Sequence, residues 1–212
     1  TCALPIFIMP VRTAHDIRAA KAANRVGILL GWQNSSGLED RLDFLPLFKD
    51  MGLSVIQLTY NTQNLVGSGC WEDRDGGLSG FGKEVVEAMN RLGILIDLSH
   101  VGAKTSSEAI AHSKRPCAYT HVAPYGAFNH PRNKTDEQLR EIVDRGGFVG
   151  VATYPPFMKT GAQTGLDDCV DLFEYMIQVC GESQVGIGTD FTQGHDEAFF
   201  DWLRHDKGYA RR

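Results

Sequence analysis

The segment Phe81–His100 has the sequence FGKEVVEAMNRLGILIDLSH and joins an amphipathic helix to a continuous apolar strand. The apolar residues on one face of the predicted helix are Val85, Val86, Met89 and Leu92. Gly93 follows in the position where helices commonly end. The next run is apolar without alternation, which is typical of a strand buried on both faces of a parallel sheet. The segment therefore predicts one unit of an α/β fold, with polar residues up to His100 at the carboxyl end of its strand.

The same unit recurs along the chain. Strands are predicted at Val26–Trp32, Ser54–Tyr60, Gly93–His100, Cys117–His121, Phe148–Tyr154 and Val185–Phe191. Helices are predicted at Ala14–Asn24, Leu38–Met51, Phe81–Leu92, Ser106–Ser113, Asp136–Arg145, Leu166–Cys180 and Glu197–His205. This alternation favours a parallel sheet, either doubly wound or closed as a barrel. A complete barrel has eight strands and about 250 residues, so about six βα units in 212 residues fit a barrel that lacks its first two units.

The composition limits which binding partners and which cellular compartment fit this chain. The net charge is −5 and no basic stripe occurs, which argues against nucleic acid. No apolar run approaches the roughly 20 residues of a membrane span. Thr1–Pro10 lacks the basic start of a signal peptide and is interpreted as a buried segment of something larger. The five cysteines are scattered and include no CxxC pair, which predicts a reducing, cytoplasmic setting. Residues 1–212 are interpreted as a single domain.

Four predicted strands end in side chains that could bind a metal or transfer a proton. They are Gln33, His100, His121 and Asp190. Barrel enzymes carry their chemistry at the carboxyl ends of strands, and imidazole with carboxylate is a normal zinc donor set that leaves a position for water. Either histidine alone would as readily be a core or loop residue. Two at the ends of consecutive strands, with a carboxylate after a later strand, favour a metal site.

Several blocks of sequence together resemble the renal (membrane) dipeptidase family. They are Gly77–Gly82 (GLSGFG), Ile96–His100 (IDLSH), Thr120–Ala123 (THVA), Pro131–Glu137 (PRNKTDE) and Gly186–Phe191 (GIGTDF), with Gly31–Asn34 (GWQN) and Tyr60–Asn64 (YNTQN) typical of a bacterial branch. The blocks span nearly the whole chain in the order of the family. The resemblance implies a (β/α)8 TIM-like barrel and hydrolysis of dipeptides at a pair of zinc ions bridged by a carboxylate and a water or hydroxide.

The resemblance also implies roles for individual residues. By position, His100 and His121 resemble the two histidine ligands of one metal, and Asp190 resembles the acid–base carboxylate. Arg132 resembles the residue that binds the substrate carboxylate, for which a guanidinium has suitable bidentate geometry. Without the resemblance, Arg132 would be taken for a surface residue beside a helix. Tyr60 stands where many relatives have a histidine near the substrate.

The metal site departs from the family pattern in two places. The His-x-Asp pair that serves the other metal on the family's first strand does not occur in this sequence, which fits a chain that lacks its first strands. Gln33 stands where the family has its bridging glutamate, and a neutral amide is a poor bridge between two dications. Gln33 is therefore expected to be a weak ligand, and we expect one zinc ion, or two at most. The chain also stops before the C-terminal helices of the family.

The leading interpretation is a metal-dependent hydrolase in which metal-activated water attacks the carbonyl of a dipeptide or related small amide. The alternative is a non-catalytic or weakly active relative that binds a metal or a small carboxylate, and a third interpretation is a fold fragment without a site. L-dipeptides, dipeptides with a D-residue and other small amides stay open as substrates. The oligomeric state is also open, with a homodimer as one option.

Overall fold

Seven parallel strands form one sheet, and each strand pairs with the next one along the chain. The computed structural model describes residues 7–191 and 194. The strands are β1 (Ile8–Val11), β2 (Val26–Trp32), β3 (Leu53–Gln57), β4 (Leu95–Asp97), β5 (Ala118–Val122), β6 (Phe148–Val151) and β7 (Val185–Ile187). A doubly wound sheet reverses its strand order at a switch point, whereas a barrel keeps sequence order. The fold is therefore of the TIM-barrel type, as predicted, and seven of the eight strands of such a barrel lie in the described residues.

Helices connect the strands. They are α1 (Ala14–Ala22), α2 (Phe44–Asp50), α3 (Gly80–Leu92), α4 (Ala103–His112), α5 (Asp136–Asp144) and α6 (Leu166–Cys180), with short 3-10 turns at Ser35–Leu38, Pro155–Phe157, Gly161–Gln163 and Glu182–Gln184. Thr13 and Thr135 form capping boxes at the starts of α1 and α5. Gly93 ends α3 in the left-handed conformation, with φ of 65°. In the described residues no helix has the length and apolar character needed to cross a membrane.

The elements differ from the predictions in two places. The strand Ile8–Val11 was not predicted, because four residues that include a proline are too short to show a period. The predicted helix Leu38–Met51 is a 3-10 turn followed by α2, since Glu39 has a φ of 52° and a proline is tolerated only in the first turn of a helix, where Pro46 lies. The predicted helix Glu197–His205 lies outside the described residues.

The hydrophobic core lies between strands β3 to β6 and helices α2 to α6. Its largest apolar members on the strands and their ends include Ile56, Leu58, Ile96, Leu98 and Tyr119. β2 was predicted to be buried on both faces, but its apolar residues are largely exposed, with Val26 at 63% and Leu30 at 49%. The helix α1, which packs against β2, buries only Ala20 of its own residues. The well-packed part of the sheet is therefore the part that carries the two histidines at its carboxyl ends.

The packing of α2 predicts a contrast between two of its leucines. Leu45 is fully buried, and Leu47 is 54% exposed. Leu45→Ala should lower the free energy of unfolding by about 2–5 kcal/mol, because it removes buried methyl groups and leaves a cavity. Leu47→Ala is the matched control, and should change it by about 0.5 kcal/mol or less. Urea denaturation measures both values, and equal losses would contradict the burial assigned to these two residues.

Candidate metal centre

Three candidate ligands converge at the carboxyl end of the sheet. His100 lies three residues after β4, His121 lies in β5, and Asp190 lies three residues after β7. One ligand atom from each residue lies within 4.8 Å of the others. The Nε2 atoms of His100 and His121 are 3.0 Å apart. Zinc–nitrogen bonds are about 2.0–2.1 Å long, so two nitrogens at this separation can share one ion after a small adjustment.

The chemistry of these donors suits a divalent cation. The Nδ1 atoms of both imidazoles bind other groups of the protein, at Asn61 for His100 and at Thr120 for His121. The two Nε2 atoms are therefore the ones that face the shared point. Two imidazole nitrogens and one carboxylate oxygen form a catalytic type of donor set, which keeps a coordination position for water or substrate.

Gln33 reaches the same point from the end of β2. Its Nε2 lies 3.3 Å from Nε2 of His121, and its side chain lowers the pKa of the Asp190 carboxyl group, against the effect of burial. Gln57 donates to the backbone oxygen of Gln33 at 2.6 Å and holds this part of the chain against β3. Gln33 is thus close enough to serve as a further ligand through its amide oxygen after rotation, although its side chain is exposed.

Burial and neighbouring positive charge keep the histidines neutral. His100 and His121 are both buried, and desolvation followed by the charge of Arg132 lowers the pKa of each imidazole. A neutral imidazole is the form that binds a metal. Burial raises the pKa of Asp190, and the charge of Arg132 partly opposes that rise. The site therefore favours unprotonated nitrogens beside a carboxyl group that holds a proton more readily than an exposed aspartate.

Arg132 is fully buried beside the two histidines. Its NH2 atom donates a hydrogen bond of 2.7 Å to the backbone oxygen of His121, and its guanidinium lies 5.3 Å from the ring centroid of Phe157. Nε and NH1 have no hydrogen-bond partner among the described residues. Burial lowers the pKa of Arg132, yet a guanidinium stays charged at neutral pH. A buried charge with unsatisfied donors is costly, so an anion bound to this guanidinium would stabilise it.

An open cavity lies next to these residues. Its volume is about 540 Å³, and it is lined by Gly31, Trp32, Gln33, Asn34, Gly37 and Tyr60. The ring of Tyr60 stacks on that of His100 with 4.2 Å between the centroids. Burial raises the pKa of Tyr60, so the phenol stays protonated at neutral pH. A second cavity of about 560 Å³ is lined by Ser35, Ser36, Glu39 and residues 63–66, and includes none of the candidate ligands.

Four buried or half-buried polar residues of this region were given no role from sequence. They are Asn61, Asp97, Thr120 and Lys134. All four lie within the blocks that carry the family resemblance, and that position is the one signal that could have drawn attention to them. Lys134 is buried with its Nζ donating to the oxygen of Val101 at 2.6 Å, and burial lowers its pKa to about 8. Patterns of apolar residues do not reveal such contacts, which join distant parts of the chain.

The lowered pKa values predict how the stability of the metal-free protein depends on pH. Below about pH 6.5 the unfolded chain binds protons at His100 and His121 that the folded chain does not, so stability falls as the pH falls. Urea denaturation in a chelator at about pH 7 and about pH 5 should show a smaller loss for His121→Gln than for the wild type. His15→Gln replaces an exposed histidine and should keep the wild-type dependence. Identical pH dependence in His121→Gln and the wild type would contradict the burial argument.

Comparison with known proteins identifies relatives of the same kind. A family model described as membrane dipeptidase (peptidase family M19) matches residues 3–208. An uncharacterized dipeptidase of Schizosaccharomyces pombe is 34% identical over 188 residues, which are 85% of this chain and 45% of that protein. A dipeptidase of Aspergillus oryzae is 28% identical over 88% of this chain and 46% of its own. The chain thus spans less than half the length of these two relatives.

Solved structures agree with this assignment. An amidohydrolase from Pseudomonas aeruginosa superimposes with a TM-score of 0.93 and 54% identity, over 98% of this chain and 64% of its own. A metallopeptidase from Rhodobacter sphaeroides, solved with a phosphinate mimic of the dipeptide L-Ala-D-Ala, has a TM-score of 0.82 and 26% identity, over 95% of this chain and 67% of its own. The family match covers nearly the whole chain and confirms the resemblance seen in the sequence blocks. This chain therefore belongs to the membrane dipeptidase family, the M19 metallopeptidases.

Proposed function

We propose that this chain binds one zinc ion through His100, His121 and Asp190, and hydrolyses dipeptides or related small amides. The observation that carries the proposal is the pair of buried Nε2 atoms 3.0 Å apart, with the Asp190 carboxylate beside them. Membership of a metallopeptidase family supports the presence of a metal. Zinc is the first choice because two imidazoles and one carboxylate, with a position left for water, match its catalytic sites.

Arg132 supports a substrate with a carboxylate close to the reacting bond. Its NH2 atom binds the backbone oxygen of His121, so an anion held by this guanidinium would lie near the proposed metal. A dipeptide has its carboxylate only a few bonds from its single peptide bond, which fits an anion held close to the metal. The anion would also pair with the two donors that lack a partner among the described residues.

The other residues have roles that follow from their placement. A bound zinc ion would polarise the substrate carbonyl and make a bound water more acidic. The carboxylate oxygen of Asp190 that is not bound to zinc would take a proton from that water and pass it to the leaving amine. Gln33 would stabilise the carboxylate form of Asp190, whose pKa it lowers, and the ring of Tyr60 would stay stacked on that of His100.

The configuration of the dipeptide substrate is left open by this proposal. The Rhodobacter sphaeroides metallopeptidase was solved with a mimic of L-Ala-D-Ala, so dipeptides with a D-residue belong in the first set of substrates tested, beside L-dipeptides. The open cavity beside Gln33 and Tyr60 has room for a side chain of variable size. We therefore propose dipeptides as the substrate class, without preference for one configuration.

A second candidate function is binding without turnover. Gln33 is the observation that favours it, because an amide cannot supply the negative charge with which a glutamate would hold two cations together. Such a protein would bind a cation and a small carboxylate, but leave dipeptides intact. Incubation of the zinc-loaded chain with L-Ala-L-Ala and L-Ala-D-Ala separates the two functions. Release of free alanine supports hydrolysis, and binding without release supports the second candidate.

Metal stoichiometry gives the first prediction from this proposal. Chelator-treated protein titrated with Zn²⁺ should bind one ion per chain tightly, and His121→Ala should lose tight binding because too few ligands remain. His112→Ala is the control, since His112 pairs with Glu87 on the outer helices. Gln33→Glu alone should leave the count at one, because the bridging carboxylate lacks the ligands of a second ion. Two tightly bound zinc ions per chain would contradict the assignment.

The role of Arg132 gives the second prediction. Arg132→Lys keeps a positive charge but loses the paired donors, and should raise KM for a dipeptide roughly 10- to 100-fold. An exposed arginine of α5, Arg140, provides the control as Arg140→Lys, which should leave KM unchanged. Zinc stoichiometry in each variant shows whether the metal site is intact. An unchanged KM in a folded, zinc-loaded Arg132→Lys would contradict the proposed contact with the substrate carboxylate.

A further inference from the structure

Two separate networks of hydrogen bonds lie behind the paired histidines. Each network binds the Nδ1 atom of one imidazole, on the side away from the proposed metal. We infer that Asn61 for His100, and Asp97 acting through Thr120 for His121, are positioning residues that decide which ring nitrogen carries the proton. The inference rests on the proposed function in one respect, namely that the Nε2 atoms are the ones used as ligands.

The network behind His121 is built on the buried carboxylate of Asp97. This carboxylate accepts hydrogen bonds from Ser99 Oγ at 2.6 Å and Thr120 Oγ1 at 2.7 Å, and from the backbone nitrogens of both residues. The single hydroxyl proton of Thr120 is therefore directed at Asp97. Toward His121 Nδ1, 2.7 Å away, Thr120 Oγ1 can only accept. The proton of a neutral His121 must then lie on Nδ1, which leaves a lone pair on Nε2.

The contact with Gln33 agrees with this assignment. The Nε2 atom of Gln33 lies 3.3 Å from Nε2 of His121. An amide nitrogen donates and cannot accept, so the imidazole nitrogen that it approaches has to be the acceptor. This contact lies on the opposite side of the ring from Thr120, and both ends of His121 thus point to the same tautomer.

The network behind His100 depends on an amide oxygen. Oδ1 of Asn61 lies 2.6 Å from Nδ1 of His100, and the thiol of Cys70 donates to the same oxygen at 3.5 Å. An amide oxygen only accepts, so the proton of a neutral His100 also lies on Nδ1. The backbone of Asn61 is held in place because Trp71 donates to its oxygen at 2.8 Å. A side chain at Gly69 would clash with that same backbone, at 2.1 Å.

The two networks together leave two lone pairs facing each other at 3.0 Å. Neither ring can place a proton between them without giving up its own hydrogen bond to Asn61 or Thr120. Two acceptors at this distance repel each other, and a cation between them removes the repulsion. The networks would therefore favour the metal-bound state over the metal-free state, in the way that partners of metal-binding histidines commonly raise metal affinity.

Ring tautomers can be measured directly on the metal-free protein. Long-range ¹H–¹⁵N correlation spectra of ¹⁵N-histidine-labelled chain, in a chelator at about pH 8 where ordinary histidines are neutral, distinguish protonation at Nδ1 from protonation at Nε2. We expect both His100 and His121 to be protonated at Nδ1. Thr120→Val should shift His121 toward the Nε2-protonated form and leave His100 unchanged. Asn61→Gly, in which glycine suits the φ of 62° at this position, should shift His100 toward the Nε2-protonated form and leave His121 unchanged.

Zinc affinity provides the second measurement. Thr120→Val should weaken Zn²⁺ binding about 10- to 100-fold, and Thr120→Ser, which restores the hydroxyl, should recover both the affinity and the wild-type tautomer. A general structural role of Thr120 would not produce this selective change and rescue. If the wild type binds no zinc but shows both predicted tautomers, the proposed function fails and the positioning inference stands. Either of two results would overturn the inference: protonation of wild-type His121 at Nε2, or a Thr120→Val variant with wild-type spectra and zinc affinity. The first result needs only the wild-type protein, so the test stands even if a variant does not fold.

Discussion

The buried carboxylate of Asp97 is the interaction on which both the sheet and the site depend. Asp97 is the last residue of β4, and its carboxylate accepts hydrogen bonds from Ser99 after β4 and from Thr120 in β5. A buried charge is tolerated only when its hydrogen bonds are made, and four donors satisfy this one. Because Ser99 and Thr120 immediately precede His100 and His121 in the chain, satisfying Asp97 also fixes where the two imidazoles stand. The hydrogen bonds that set the register of β4 against β5 therefore also set the geometry of the candidate metal centre.

Positive charge in the interior is the second feature that shapes the site. Arg132 and Lys134 are both fully buried behind the histidines. Their charges add to desolvation in lowering the pKa values of His100 and His121. Two buried cations destabilise the folded state, since each loses its hydration. They suit the proposed function, in which neutral imidazoles bind a metal and an anionic substrate lies beside it.

Gln33 is a residue of the site at which this chain departs from the family pattern. It follows β2, where the resemblance places a bridging glutamate, and its amide lies beside His121 and lowers the pKa of Asp190. A glutamate there would add negative charge between metals, whereas the amide adds two donors and one acceptor without charge. The arrangement is compatible with one cation held by the histidine pair. At this position the chain offers no carboxylate to bridge a second cation, and this is the ground for the alternative proposal of binding without turnover.

The sequence by itself determined the fold class and the family. Alternating helices and continuous apolar strands favour a parallel sheet, and the sequence blocks resemble one family over nearly the whole chain, because both signals are local and repeat many times. The tertiary structure alone decided how these local elements meet. It paired every strand with its neighbour in chain order, which confirms the barrel that the resemblance implied and that the alternation of elements alone left open. It buried Arg132, which the local pattern suggested was a surface residue, and it joined Asn61 to His100 and Asp97 to Thr120 across different strands. Such contacts depend on residues tens of positions apart being brought within 3 Å, and no local periodicity records a distance of that kind.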